Sequence, residues 1–156
     1  MANEIINKTT GSNNIVTGAG NDYIVTGIGN DTIDAGAGDN YVYAGDGDNK
    51  VVTGIGNDSI YAYFGNDTVD AGDGNNYIHV DQGDNQVRAG KGNDTVVACS
   101  GDDVIEVGDG NNHVYAGYGN NHVTAGKNND YVEAYSGDDT IGVGDGNNTV
   151  AAGNGD

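Results

Sequence analysis

Several residue types are missing or rare in this sequence: its 156 residues include no proline and no tryptophan, and only one phenylalanine and one cysteine. The single Cys99 excludes an internal disulfide, and no Cys/His cluster has zinc-site spacing. No apolar run approaches the roughly 18 residues of a membrane-spanning helix. The opening MANEIINKTTGS has no basic segment followed by an apolar one, so we do not expect export by the general secretory route.

Positive charge is also scarce, because 5 Lys and Arg face 24 Asp and Glu, for a formal net charge of -19. A chain with this self-repulsion either stays extended or recruits cations. Nucleic acid is therefore not an expected partner. The 29 glycines are too many for an ordinary globular composition and must serve a fixed pattern.

That pattern is a repeat of nine residues. From Thr17 to Ala151 the chain divides without insertion into fifteen nonapeptides, such as TGAGNDYIV and TGIGNDTID. A half-degenerate copy, KTTGSNNIV, precedes them and a broken copy, AGNGD, follows. We expect a single domain in which residues 1–16 form an N-terminal cap and degenerate repeat, and residues 17–156 form the regular array.

Each nonapeptide predicts one short strand and one turn. Position 8 is always Ile or Val, and position 1 of the next repeat is always Ala, Thr or Val, so both face inward. Positions 2 to 6, typically Gly-x-Gly-Asn-Asp, form the turn. Two small side chains per repeat fill only a thin interior. We therefore predict an all-β, right-handed parallel β-roll, a two-sheet β-solenoid with two nonapeptides, or 18 residues, per coil.

The motif G-x-G-[ND]-[DN]-x-[IV] at a strict period of nine resembles the haemolysin-type calcium-binding repeat of the RTX family. The resemblance implies Ca²⁺ bound between stacked turns by backbone carbonyls and by the Asp at position 6. The family's first Gly is replaced here by Thr, Ala or Val in every repeat. Its position-6 Asp falls on Asp22, Asp31, Asp58, Asp67, Asp94, Asp103, Asp130 and Asp139.

Position 6 is Asn in the other repeats, and the order Asp, Asp, Asn, Asn makes a super-repeat of 36 residues. Along each edge of a two-strand coil, Asp and Asn then alternate, which avoids stacking one carboxylate on another. Filling all thirteen gaps between fifteen loops would overcharge the chain, so we expect six or seven ions. The Asn residues, expected as weaker neutral ligands, are Asn40, Asn49, Asn76, Asn85, Asn112, Asn121 and Asn148.

The outward positions of one predicted sheet are rich in aromatic residues, whereas those of the other are polar. This pattern is typical of cross-strand ladders on an exposed sheet, and it also fits a binding face for a second copy or for flat sugar rings. The candidate face comprises Tyr23, Tyr41, Tyr43, Tyr61, Tyr77, His79, His113, Tyr115 and Tyr131.

Catalytic signals are weak. No Ser/His/Asp or Cys/His order stands out, and His79, His113 and His122 occupy positions that other repeats fill with Tyr or Thr. We predict that the chain is not an enzyme.

The leading hypothesis is an extracellular calcium-binding structural or adhesion module that folds on binding Ca²⁺. Its RTX relatives are often exported by type I systems without an N-terminal signal. We also expect Ca²⁺-promoted self-association, as a homodimer or end to end, through the bare last coil or through the Tyr-rich face. Homodimers are favoured over long fibres, because residues 1–16 are expected to fold over the first coil and block head-to-tail growth.

Two alternatives remain open. One is a non-catalytic polysaccharide-binding module similar to those attached to alginate epimerases. The other is an ice-binding solenoid, which needs a regular Thr array that Lys50 and Gln86 interrupt.

Overall fold

The chain forms two parallel sheets whose strands alternate along the sequence. The computed structural model describes residues 3–155, so residues 1, 2 and 156 of the predicted ranges lie outside it. Within this part of the chain, no helix is long and apolar enough to cross a membrane. Sheet A contains β1 (Ile5–Asn7), β3 (Tyr23–Val25), β5 (Tyr41–Gly45), β7 (Ser59–Ala62), β9 (Tyr77–Val80), β11 (Thr95–Val97), β13 (His113–Tyr118), β15 (Tyr131–Ser136) and β17 (Thr149–Ala151). Sheet B contains β2 (Asn14–Val16), β4 (Thr32–Asp34), β6 (Lys50–Val52), β8 (Thr68–Asp70), β10 (Gln86–Arg88), β12 (Val104–Gly108), β14 (His122–Ala125) and β16 (Thr140–Gly142).

The register confirms the predicted coil of 18 residues. Ile24 pairs with Val42 in sheet A, and Val51 pairs with Val69 in sheet B, each 18 residues on. The chain thus alternates between the sheets and returns to the same sheet one coil later. This arrangement is the predicted two-sheet β-solenoid.

The core is a thin double row between the sheets. Position-8 residues such as Ile60 and Val87 are at most 1% exposed, as are the position-1 residues Ala44 and Ala71. Thr26 and Thr53 are also fully buried at position 1. The predicted inward positions are therefore the observed ones.

Glycine is required in the turns by both conformation and stacking. At position 4, Gly74 has φ 143°, and a Cβ there would overlap the Gly56 carbonyl of the preceding coil. At position 2, Gly72 has φ 74°. Among residues 3–155, Asn128 is the one non-glycine residue with positive φ, at 89°, and it replaces a position-4 glycine.

The N-terminal segment differs from the expectation. Residues 1–16 were expected to cap the roll by folding over the first coil. The described part of this segment does cover that coil, but as one more coil of the roll, because β1 and β2 extend the two sheets by one strand each. Ile6 pairs with Ile24, and Ile15 pairs with Ile33. The reason is that Ile6 and Ile15 continue the inward position of the repeat, although the turn before Ile15 keeps only part of its sequence and Glu4 replaces position 6 before Ile6.

Candidate metal sites in the loop ladders

The position-6 side chains stack in two ladders, one along each edge of the roll. Except at the last member of each ladder, the N–H donates to Oδ1 of the position-6 side chain one coil later, as from Asp22 to Asn40 (3.0 Å) and from Asn40 to Asp58 (2.8 Å). Asp and Asn therefore alternate in both ladders. Ladder A, which leads into sheet A, contains Asp22, Asn40, Asp58, Asn76, Asp94, Asn112, Asp130 and Asn148. Ladder B contains Asp31, Asn49, Asp67, Asn85, Asp103, Asn121 and Asp139.

The space between one loop and the next loop on the same edge is called here an Asp gap or an Asn gap, after the position-6 residue of the first of the two loops. The two kinds of gap differ in their hydrogen bonds. In the Asn gaps the side-chain amide donates into a set of backbone carbonyls. Asn76 Nδ2 lies 3.2 Å from Gly72 O and 3.4 Å from Gly74 O in its own loop. It also lies 3.1 Å from Ala89 O in the next coil. The two contacts within the loop recur at Asn40, Asn49 and Asn112.

In the Asp gaps the same place is held by an oxygen. Asp94 Oδ1 accepts from the Asn76 N–H (2.8 Å), as an Asn Oδ1 does in its own ladder position. By comparison with the Asn loops, we therefore expect the second oxygen, Oδ2, to occupy the place of the amide nitrogen, facing carbonyl acceptors. It is buried without a hydrogen-bond partner at Asp22, Asp31, Asp58, Asp67, Asp94, Asp103, Asp130 and Asp139.

Eight stretches of the sequence match a sequence model of the RTX calcium-binding nonapeptide repeat. The matched residues are 9–42, 43–78, 61–96, 70–105, 79–114, 99–132, 106–141 and 126–156. The chain belongs to this RTX repeat family. It is accordingly a calcium-binding structural module, with a fold type that is not catalytic. No curated protein matches the chain.

The RTX loops fit a calcium ion bound largely by the backbone. Between residues 3 and 155, no three Asp, Glu, His or Cys side chains converge into a metal cluster. Each Asp gap instead combines one buried, unpartnered carboxylate oxygen with the carbonyls that the Asn amides contact elsewhere. Oxygen donors of this kind are the ligands that Ca²⁺ prefers.

Burial disfavours the charged form of these carboxylates. It raises the pKa of Asp67, Asp94 and Asp103 to about 6, although hydrogen bonds from the preceding Asn act in the opposite direction. Acidic side chains on the outside of the loops add to the rise, such as Asp73 near Asp94. A bound cation would stabilise the ionised form at these positions.

Two sets of hydrogen bonds were not predicted from the sequence. The position-1 hydroxyls of Thr17, Thr26 and Thr53 donate to the position-1 carbonyl of the next coil, at 2.8 to 2.9 Å. All three Thr residues belong to loops with Asp at position 6, and this association in the sequence could have indicated a role in those loops.

The position-5 side chains form a second, solvent-exposed ladder that runs the other way. The N–H of Asp39, for example, donates back to Oδ1 of Asn21 at 3.0 Å. The sequence feature that could have predicted this ladder is the Asn or Asp at position 5 of every repeat.

The predicted aromatic residues all lie on the outer face of sheet A of the RTX roll. The rings of Tyr23 and Tyr41 are stacked 5.0 Å apart with an interplanar angle of 7°. The rings of Tyr41 and Tyr61 follow at 5.4 Å, and those of Tyr61 and Tyr77 at 5.8 Å. The faces of the stacked pair are turned toward each other, an arrangement that suits a cross-strand ladder better than sugar stacking. The remaining members, Tyr43, His79, His113, Tyr115 and Tyr131, also have ring contacts on this sheet.

The single cysteine lies beside this face. Cys99 Sγ is 3.7 Å from His79 Nε2. Burial, and next the Asp81 carboxylate, raise the pKa of the Cys99 thiol above its usual value. A raised pKa decreases the thiolate fraction, which is the opposite of what an activated nucleophile requires.

Proposed function

We propose that this chain is an extracellular calcium-binding roll whose Asp gaps hold the ions, and whose folding depends on them. It serves as a structural or adhesion module. The observation that carries the proposal is the buried, unpartnered Oδ2 of all eight position-6 Asp residues. An ionised oxygen buried among carbonyls is strongly unfavourable unless a cation or a proton neutralises it. The extracellular location rests on the family, since RTX repeats are typical of proteins secreted by type I systems.

The residues that would hold each ion follow from the contacts of the Asn amides. They are the Asp Oδ2, the position-2 and position-4 carbonyls of the same loop, and the carbonyl that the next coil presents. When bound, Ca²⁺ supplies positive charge and joins two successive coils through their backbones. The flexible oxygen coordination favours Ca²⁺ over Mg²⁺, which retains its own waters.

Folding depends on the ions because the core alone is small. A typical nonapeptide buries one Ile or Val and one Ala, Thr or Val, while its loop of about five residues must be ordered at an entropic cost of roughly 1–2 kcal/mol per residue. Ion binding to the folded loops alone adds stability to that state.

Isothermal calorimetry and circular dichroism test this proposal on the intact chain. After treatment with EDTA, the β signal should fall, at least in part, and addition of Ca²⁺ should restore it with measurable heat. Mg²⁺ at the same concentration is the control and should restore little. A roll that is equally folded and equally heat-stable in EDTA, with no heat on titration, would refute the proposal.

A further inference from the structure

We infer that the position-6 Asn side chains act as built-in substitutes for calcium, so that metal enters only the Asp gaps and every second gap on each edge is closed to it. This inference rests on the proposed function. It gives the Asn residues a different role from the neutral ligands that the sequence predicted.

The contacts of one ladder show the difference between the two gaps. In the Asn76 gap, Nδ2 donates to carbonyls from both coils, so the amide hydrogens already neutralise the acceptors that would surround an ion. In the Asp94 gap, no donor takes this place and Oδ2 is unpartnered. An ion entering the Asn76 gap would have to displace the amide. The carboxylate that borders this gap, Asp94, already accepts from the Asn76 N–H through Oδ1 (2.8 Å).

In ladder B the Asn amides also donate within their gaps, but the acceptors of Asn85 differ from those of Asn76. Asn85 Nδ2 donates to Gly83 O and to Oδ1 of Asp103 in the next coil, both at 2.9 Å. The amide thereby satisfies a carboxylate oxygen as well as a carbonyl. On both edges, therefore, the Asn side-chain amide already donates hydrogen bonds within its gap.

The outer charges of the loops follow the same division. At position 3, Asp occurs only in loops that have Asn at position 6, as Asp46, Asp73, Asp109 and Asp145. Loops with a buried Asp instead have a neutral residue or Lys at position 3, such as Lys91 and Lys127. Each loop therefore avoids combining an interior carboxylate with an acidic position 3.

The count of ions follows from the arrangement. Seven Asp gaps are complete, those after Asp22, Asp31, Asp58, Asp67, Asp94, Asp103 and Asp130. The Asp139 side chain opens onto a cavity lined by Gly153 and Gly155 and supplies an incomplete eighth. Seven divalent ions would bring the formal charge from -19 to -5. Successive ions on one edge would be separated by two coils, or about 10 Å, which limits their mutual repulsion.

Paired variants test the inference. Asn76→Asp should open a new gap and add one bound ion, counted by calorimetry in saturating Ca²⁺. Its control is Asn75→Asp, which adds the same charge one residue away on the exposed position-5 ladder and should add none. In the reverse direction, Asp103→Asn should remove one ion, whereas Asp102→Asn, also exposed at position 5, should remove none.

A second readout needs no calcium. In EDTA, Asp103→Asn should raise the midpoint of thermal unfolding by about 2–6 °C relative to Asp102→Asn, because an amide donor replaces an unpartnered buried oxygen. This measurement in EDTA separates the inferred role of the Asn amides from the proposed calcium binding. If no variant binds Ca²⁺, the proposed function fails, and the thermal midpoints alone decide the role of the amide. An unchanged count in Asn76→Asp, together with equal midpoints for Asp102→Asn and Asp103→Asn in EDTA, would overturn the inference.

Discussion

At the residue scale, the order of Asn and Asp at positions 5 and 6 determines where a carboxylate lies. In the repeat containing Asn30 and Asp31 the carboxylate is inside the loop, whereas in the repeat containing Asp39 and Asn40 it is exposed at the edge. The alternation was visible in the sequence, and the avoidance of stacked charges followed from it. The role of the amide was not predictable, because it depends on which atom of the Asn side chain faces the carbonyls.

The raised pKa values predict how the metal-free roll responds to pH. Asp67, Asp94 and Asp103 have a pKa of about 6 in the folded state, against 3.8 as the ordinary value. The folded state therefore favours their protonated form, so the stability they contribute is complete below about pH 4 and is lost as the pH rises through 6. In EDTA, the thermal midpoint should rise as the pH falls from 7.5 to 5. A midpoint that falls steadily over this range would contradict the assignment.

At the element scale, the strands were predictable and the first two coils were less so. Position 8 alone located every strand from β3 to β17, because one buried β-branched residue recurs every nine residues. The strand β1 lies outside the recognised copies, since Glu4 replaces the position-6 Asp or Asn. The strand β2 lies in the degenerate copy KTTGSNNIV, in which Thr9 replaces the position-2 glycine while Gly11 and Asn13 remain. The inward residue of β1 is Ile6, and one inward residue without a recognisable turn before it is too short a signal to predict a strand.

The glycine turns allow a direct test of the stacking argument. Gly74→Ala should destabilise the roll by about 2 kcal/mol or more, because its Cβ overlaps the Gly56 carbonyl and its φ of 143° is unfavourable for alanine. Asn128→Gly should instead stabilise it by up to about 1 kcal/mol, since a φ of 89° is strained for asparagine. Thermal unfolding in saturating Ca²⁺ measures both. Equal midpoints for the two variants would show that position 4 is not restricted to glycine.

At the scale of the whole molecule, net charge and the ends of the sheets are the features that bear on the expected self-association. In the last coil the inward residue Val150 is 45% exposed, because no further coil covers it in the described chain. Because β1 and β2 are themselves edge strands of the described sheets, the expected block to head-to-tail growth, which favoured homodimers over long fibres, no longer holds. Ca²⁺ would decrease the repulsion among chains of charge -19 and should promote self-association.

Sedimentation velocity with Ca²⁺ and with EDTA measures that association. A charged segment appended after Asp156 should abolish it if the end is responsible. Replacing Tyr43, Tyr61 and Tyr77 by Thr should abolish it if the aromatic face is responsible. A strict monomer at high concentration in saturating Ca²⁺ would exclude both routes.

The number of calcium ions bound per chain tests the central claim most directly, and native mass spectrometry joined to calorimetry provides it. Filling of the Asp gaps alone predicts seven ions, or eight when the Asp139 gap also binds. Filling of both kinds of gap would give thirteen or more, and would show that the Asn amides do not exclude the metal. A count of zero would contradict the assignment of the buried Asp oxygens as calcium ligands.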